Sequence, residues 1–502
     1  MPSDREHQHT MDVYACLQNA LLAGATIFSV AYFYGQWRNT LFHEYGIPGP
    51  QPEPYLGNIR EIMKKGFREV LAEWMHSFGD VYGFYIGHTP TIFVKDLDIL
   101  KEVSIKHFQD FPDRRFSDLT PGTIRHGVLF SRGDAWRRQR AIMAPTFSGV
   151  KLNKMGNVLN DCADNLVKTL TDSAGGEIVL REHFGQFSLE VIVKAAFGLY
   201  TDTNDVIYSK LRQLIRPGKK GAFSHFSSSI FPSTVPVLRA LGFSILPKEP
   251  YQYILRALDD IFNLRRLEPK KENKDFLQLL IDAENIDVSD ANQKTIKKMS
   301  RDEILGQMFM FIIAGYETTA STLNFLAHSL AVHPDIQRKV VDEIHQHLDQ
   351  EEPTYHNVGE LTYLDQVVKE VLRLYPVIFG VNRQTARTRT IKDVTFPRGS
   401  SVYIPIFHIH RDPAIYPDPE TFNPNRWSEH TERHPMAYIP FGAGPRVCVG
   451  MKLAVFELKV AIIKVLRAVK FSTTKNTQEK IIFTNSSFLT PKTPIRLKVE
   501  KR

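Results

Sequence analysis

Residues 301–332 read RDEILGQMFMFIIAGYETTASTLNFLAHSLAV, a helical run so apolar that it must be buried on most of its sides. Yet Glu317, Thr318 and Thr319 follow directly on the small pair Ala314 and Gly315, and burying such polar groups is costly unless they are partnered. Positions four apart share a helix face, so Ala314 and Thr318 lie together, with Phe311 a turn away. A gap with a hydroxyl beside it can hold a small bound molecule. Equally, a mid-helix threonine can bond back to a carbonyl, and an arginine can cap the glutamate.

The rest of the chain agrees with a mainly α fold carrying small β-sheets. After Pro145, helical spacing runs through 152–172, 186–199, 251–268, 336–349, 358–374 and 452–468, with strand-like runs near 391–405 and 481–499. Earlier, YGFYIGHTPTIFVKD reads as two short strands around a His-Thr-Pro turn. With 502 residues, 43% of them hydrophobic and 33 Phe, the chain can bury one large core or two ordinary ones. It has no internal repeat, and no linker long enough to separate a pair of domains. The net charge, 63 − 55 = +8, is spread along the chain without a basic block, which argues against nucleic acid. A modest positive excess suits an anionic membrane surface or an acidic partner better.

The segment Val13–Gly35 carries no charged residue and is long enough to span a bilayer, although Gln18 and Asn19 dilute it towards an interfacial helix. Arg38, Arg60, Lys64 and Lys65 follow it, so the positive-inside rule leaves the bulk of the chain in the cytosol. Three regions are expected: residues 1–36 with the anchor at 13–35, a proline-rich spacer at 37–54, and a globular domain at 55–502. The stretch 222–247 mixes apolar residues with prolines, and reads either as a loop packed on the core or as a second membrane contact.

Only three cysteines occur, Cys16, Cys162 and Cys448, which excludes a disulfide framework. Cys448 stands in FGAGPRVCVG, Phe441 to Gly450, where glycines permit a tight turn and close approach of the backbone. A nucleophile, a buried apolar residue and a metal ligand all remain open for it. Elsewhere, KEVLRLYP sets Glu370 and Arg373 one helix turn apart, FNPNRW offers Arg426 in a loop, and AWRRQRAIMAPTF puts Trp136 and Arg140 on one face, suited to a carboxylate.

In this order the pieces resemble the cytochrome P450 superfamily over essentially the whole chain after the spacer. FGAGPRVCVG matches the haem loop Phe-x-x-Gly-x-Arg-x-Cys-x-Gly at every fixed position, AGYETT the distal oxygen-handling helix, Glu370 and Arg373 the Glu-x-x-Arg pair, PNRW the arginine loop, and Trp136 with Arg140 the Trp-x-x-x-Arg helix. GIPGP, LGNI, DFLQLLIDAEN and HRDP look most like the microsomal animal branch that contains the family 3 enzymes and thromboxane synthase. The resemblance implies haem b with Cys448 as thiolate ligand, hydrogen-bonded by backbone N–H groups and donating electron density to iron. It implies Trp136, Arg140, Arg383 and Arg446 on the haem propionates, Phe441 beside the sulfur, and Gly444 and Gly450 shaping the loop. Glu370, Arg373 and Arg426 are implied as the structural triad, and Glu317 with Thr318 as an acid–alcohol pair delivering protons, with Ala314 and Gly315 leaving the space.

The reaction implied is monooxygenation of a lipophilic small molecule, a xenobiotic, steroid or fatty-acid-like compound, with NADPH electrons from NADPH–cytochrome P450 reductase and cytochrome b5 as a further donor. The chain would sit in the endoplasmic reticulum membrane. Some of Arg132, Arg137, Arg138 and Lys452 are expected to meet the reductase. The pocket implied draws on Phe116, Met308, Phe309, Ile312, Val377, Phe379 and Phe488. Two other readings keep the haem: an endoperoxide isomerase of the thromboxane-synthase type, and a non-enzymatic haem sensor. Asn425 and Trp427 depart from the commonest form of the arginine loop, where Glu and Phe are usual.

Overall fold

The computed structural model describes residues 3–37, 39–199, 205–215, 228–267, 275–284, 298–428, 432–486 and 488–502. A central helix spans Arg301–Val332. It starts at a reciprocal cap, in which the Ser300 hydroxyl accepts from the Glu303 N–H at 3.3 Å while the Glu303 carboxylate accepts from the Ser300 N–H at 2.9 Å. Every residue of this helix is described, and beyond Asp302 the one exposed among them is Ala314.

Two apolar clusters share the central helix. Its C-terminal half, with Leu323, Leu326 and Leu330, packs against helices Gly149–Asp172, Leu180–Phe197, Pro334–Leu348, Thr362–Leu374 and Met451–Ala468. Its N-terminal half packs against Asp205–Ile215, Lys248–Leu267 and Phe276–Glu284. The strands form small sheets to one side. The largest has four strands in the order Val81–Ile86, Thr89–Val94, Ser401–Ile404 and Val381–Gln384, with the middle pair parallel and the outer pairs antiparallel. Its register sets Arg383 opposite Val402.

One expectation needs correction. The strand-like run at 481–499 yields only Leu497–Lys501 and an isolated bridge between Phe483 and Pro491, because Pro491 and Pro494 cannot donate to a ladder. The proline-rich segment at 37–54 is packed in part: Phe42 and Ile47 are buried in the cluster over the four-stranded sheet, and the Gly83 N–H donates to the Pro48 carbonyl at 2.8 Å. Residues 13–35 lie within one helix, Ser3–Trp37, but among the described residues no helix is long and apolar enough to cross a membrane. Length is not what falls short, since 35 residues at about 1.5 Å each reach about 52 Å. Gln18, Asn19, Thr26 and Ser29 dilute the apolar run instead. Of the stretch 222–247, residues 222–227 lie outside the described residues; beyond them Val235 is buried while Phe231, Val237 and Leu241 are exposed.

Candidate active site

The loop around Cys448 is shaped by two glycines in left-handed conformations, Gly442 at φ 77° and Gly444 at φ 68°. At Gly444 a Cβ would fall 1.9 Å from the Ser104 carbonyl oxygen, so no other residue fits. The Cys448 N–H closes the loop onto the Phe441 carbonyl at 3.0 Å. Cys448 exposes surface, and partial enclosure of its thiol raises the pKa. A hydrogen bond from the Gly450 backbone and the charges of Arg140 and Arg114 oppose that rise and favour a thiolate. Cys162, in the apolar core, has its pKa raised by burial and is packing only; Cys16 is exposed on the first helix.

Beside the loop lies an unbalanced group of cations. Arg446 is fully engaged: Nε donates to the Pro112 carbonyl at 2.9 Å, Nη2 to Asp113 at 3.0 Å and to the Ser131 carbonyl at 3.1 Å, and the guanidinium lies 4.1 Å from the Trp136 ring centroid. Arg383 and Arg114 differ. Each leaves its Nε buried with no partner among the described residues; Arg383 otherwise donates to the Asn382 carbonyl at 3.0 Å, and Arg114 to the Arg446 carbonyl at 3.2 Å. Burial first, then repulsion by Arg114 and Arg446, pushes the Arg383 pKa well down, and burial with repulsion by Arg140 takes Arg114 to about 10. Buried cations in this state call for an anionic occupant. A group with two carboxylates and a metal that takes a thiolate meets every one of these demands, so the residues present fit haem. Arg114 was missed by sequence reasoning; its only signal is the unclaimed pair Arg114–Arg115.

Glu370 knots this region together. It is fully buried and accepts from Arg373 Nε and Nη2, Arg426 Nε and Trp427 Nε1, each at 2.9 Å, and from the Asn423 N–H at 3.0 Å. Trp427 therefore acts as a donor, so its departure from the usual Phe adds a bond to the knot. Arg373 Nη1 continues to the His410 carbonyl at 2.8 Å, and His410 Nε2 accepts from the Ile439 N–H at 3.0 Å, two residues before Phe441. Burial, with Arg373 and Arg411 nearby, pushes the His410 pKa down to about 3 and keeps it a neutral acceptor.

On the central helix, Ala314 opens onto space and Thr318 is half-buried, with its hydroxyl donating to the Ala314 carbonyl at 2.5 Å. Gly315 leaves no such space: a Cβ there would lie 2.7 Å from Ile192, so its role is close helix packing. Glu317 is turned the other way, paired with Arg181 at 2.5 Å and accepting from Ser321 at 3.2 Å, so it does not form a pair with Thr318 as expected.

Met308, Phe309 and Ile312 are core residues, with Phe309 edge-on to Tyr251 at 5.5 Å. Residues 308, 312 and 316 form a buried row, while 314 and 318 face the open side. Phe116 is half-buried, with its ring 4.3 Å from that of Phe130; Phe488 is half-buried; Val377 and Phe379 are nearly closed off. Trp136 is buried and Arg140 half-buried on one helix, Gly133–Met143. Arg132, Arg137 and Lys452 are exposed, but Arg138 is committed to Glu303 at 2.6 Å and to the Lys298 carbonyl.

The cytochrome P450 family model matches residues 47–499. The chain is 35% identical over 487 residues to cytochrome P450 3A9 of Rattus norvegicus, covering 94% of each chain, and 34% identical over 494 residues to cytochrome P450 3A13 of Mus musculus, covering 95% and 96%. To cytochrome P450 3A5 of Homo sapiens it is 34% identical over 481 residues, 94% of each. With Cys448, the cation group and the open helix face gathered in one fold, the chain belongs to the cytochrome P450 family and is a monooxygenase carrying haem b.

Proposed function

We propose that this enzyme inserts one oxygen atom from dioxygen into a lipophilic xenobiotic, steroid or fatty-acid-like molecule, using NADPH electrons passed through NADPH–cytochrome P450 reductase, with cytochrome b5 as a further donor. The observation that carries this reading is Ala314, exposed within an otherwise buried helix, with the Thr318 hydroxyl on the same face. When bound, the haem supplies the dioxygen activation, and the second oxygen atom leaves as water.

The chain's own residues do the rest. Cys448 offers a sulfur whose negative charge the Gly450 N–H, Arg140 and Arg114 favour. Arg114 and Arg383, with Trp136 and Arg140, hold the carboxylates, while Phe441, Gly444, Arg446 and Gly450 keep the loop in shape. Thr318 holds a proton at its hydroxyl. Glu317 supplies the next one only by leaving Arg181, so proton entry on this face involves a side-chain rotation. Phe116 and Phe488, both half-buried, are the expected pocket residues that keep exposed apolar surface, which favours apolar substrates.

We place the Ser3–Trp37 helix at the endoplasmic reticulum membrane, with the catalytic domain from residue 55 onward in the cytosol. The exposed Phe231, Val237 and Leu241 make a second apolar contact with it.

The test is the absorption spectrum of the reduced protein with carbon monoxide, followed by turnover of lipophilic substrates with NADPH and reductase. Wild type is expected to show the red-shifted thiolate band and Cys448→Ser to lose it. Thr318→Ala is expected to keep the band while peroxide rises and product falls. An unchanged partition of electrons in Thr318→Ala removes the proton role.

A further inference from the structure

One buried acid has no role in the chemistry above. Glu457 lies on the Met451–Ala468 helix, 457 − 448 = 9 residues after Cys448, and is 3% exposed. Its Oε2 accepts from the Thr319 hydroxyl at 3.5 Å. Its Oε1 has no hydrogen-bond partner of good geometry among the described residues, although the Ser188 hydroxyl is near enough to act on its charge. Ser188, fully buried on the Leu180–Phe197 helix, gives its own hydroxyl proton to the Gly315 carbonyl at 3.0 Å.

Counting protons resolves the orphan oxygen. A hydroxyl has one proton and two lone pairs, and the proton of Ser188 is committed to Gly315. A carboxylate facing it has nothing to accept, whereas a protonated acid donates to the Ser188 oxygen and still accepts from Thr319. Three helices are then joined by one polar chain that ends at Gly315 and Thr319, on either side of Thr318. We infer that protonated Glu457 is a positioning residue, which through Ser188 and Thr319 fixes the Gly315–Thr319 turn against the thiolate helix and so aims the Thr318 hydroxyl. The inference rests on the haem-thiolate reading above. Burial supports it independently, holding the Glu457 pKa well above the usual carboxylate range while the Thr319 hydroxyl opposes the shift.

The test uses the full haem-loaded chain and the infrared C–O stretch of its ferrous carbon monoxide form, read beside the thermal midpoint and the peroxide released per product. Glu457→Gln keeps a donor for Ser188 and an acceptor for Thr319, and is expected to keep one wild-type band and wild-type partition. Glu457→Leu keeps bulk but not the chain, and is expected to split or broaden the band and raise peroxide about threefold. A folded Glu457→Leu with one wild-type band overturns the inference, as does a Gln variant that splits the band as Leu does. Should the Leu variant not fold, Ser188→Ala decides: a split band supports the chain, an unchanged band refutes it. A wild-type protein without the thiolate band overturns the haem-thiolate reading first, and this inference with it.

Discussion

On the thiolate side of the site Glu370 collects five donor bonds from four residues, and the Cys448 loop turns through Gly444, which nothing larger can replace. On the central helix, beyond Asp302, one residue stands open, Ala314, and its surroundings are set by packing, with Glu317 drawn aside to Arg181. One region is held by charge and direction, the other by volume. Buried charge is intolerant, because removing one partner strands the others. Apolar volume is graded, because neighbours redistribute. The same fold therefore fixes its chemistry on one face and leaves its choice of substrate adjustable on the other.

The largest effect is expected from Glu370→Gln, which attacks the charged side directly. The amide cannot neutralise Arg373 and Arg426, and the change is expected to cost about 3–5 kcal/mol. A lower thermal midpoint and little haem in the purified protein check it. Full haem content at a wild-type midpoint would show that the thiolate side tolerates loss of charge after all.

Ala314→Leu should act on the other face alone. It fills the opening without touching the knot around Glu370, so the thiolate band with carbon monoxide is expected to stay. Turnover of bulky substrates is expected to fall about tenfold or more, the usual effect of crowding a pocket by a few carbons. Equal loss for small and bulky substrates would mean that Ala314 does not border the substrate.

What was legible in the sequence follows the same division. Glu370 with Arg373 could be read because a helix puts residues three apart together, and Cys448 because the loop needs its glycines at fixed spacing. Arg114 could not, since its carbonyl partner lies 332 residues along the chain, nor could Arg181 for Glu317, 136 residues away. No local pattern encodes such pairs. Met308 and Phe309 were assigned to the pocket because a helix apolar all round hides its own rotational phase: nothing polar marks which face looks inward. The seven helices expected after Pro145 are present, each end within six residues, since each keeps its apolar spacing, whereas Phe67–Phe78, Asp205–Ile215 and Phe276–Glu284 escape the reading. The run at 481–499 misled because its β-branched residues outweighed two prolines in the reading, but not in the fold.

The smallest expected effect separates two neighbouring arginines on the helix Gly133–Met143. Arg137 is exposed and pairs with Asp134, itself almost fully in water, at 3.1 Å, a contact worth at most about 1 kcal/mol. Arg138 is anchored to Glu303, the residue that caps the central helix. Arg137→Glu should leave the thermal midpoint unchanged while raising the reductase concentration for half-maximal turnover about threefold at low salt, with the two proteins converging as salt screens the contact. Arg138→Glu should instead lower the midpoint, because it sets two carboxylates against each other at the start of that helix. If Arg138→Glu moves only the reductase dependence and not the midpoint, its bond to Glu303 is dispensable, and charge on this face serves docking at both positions.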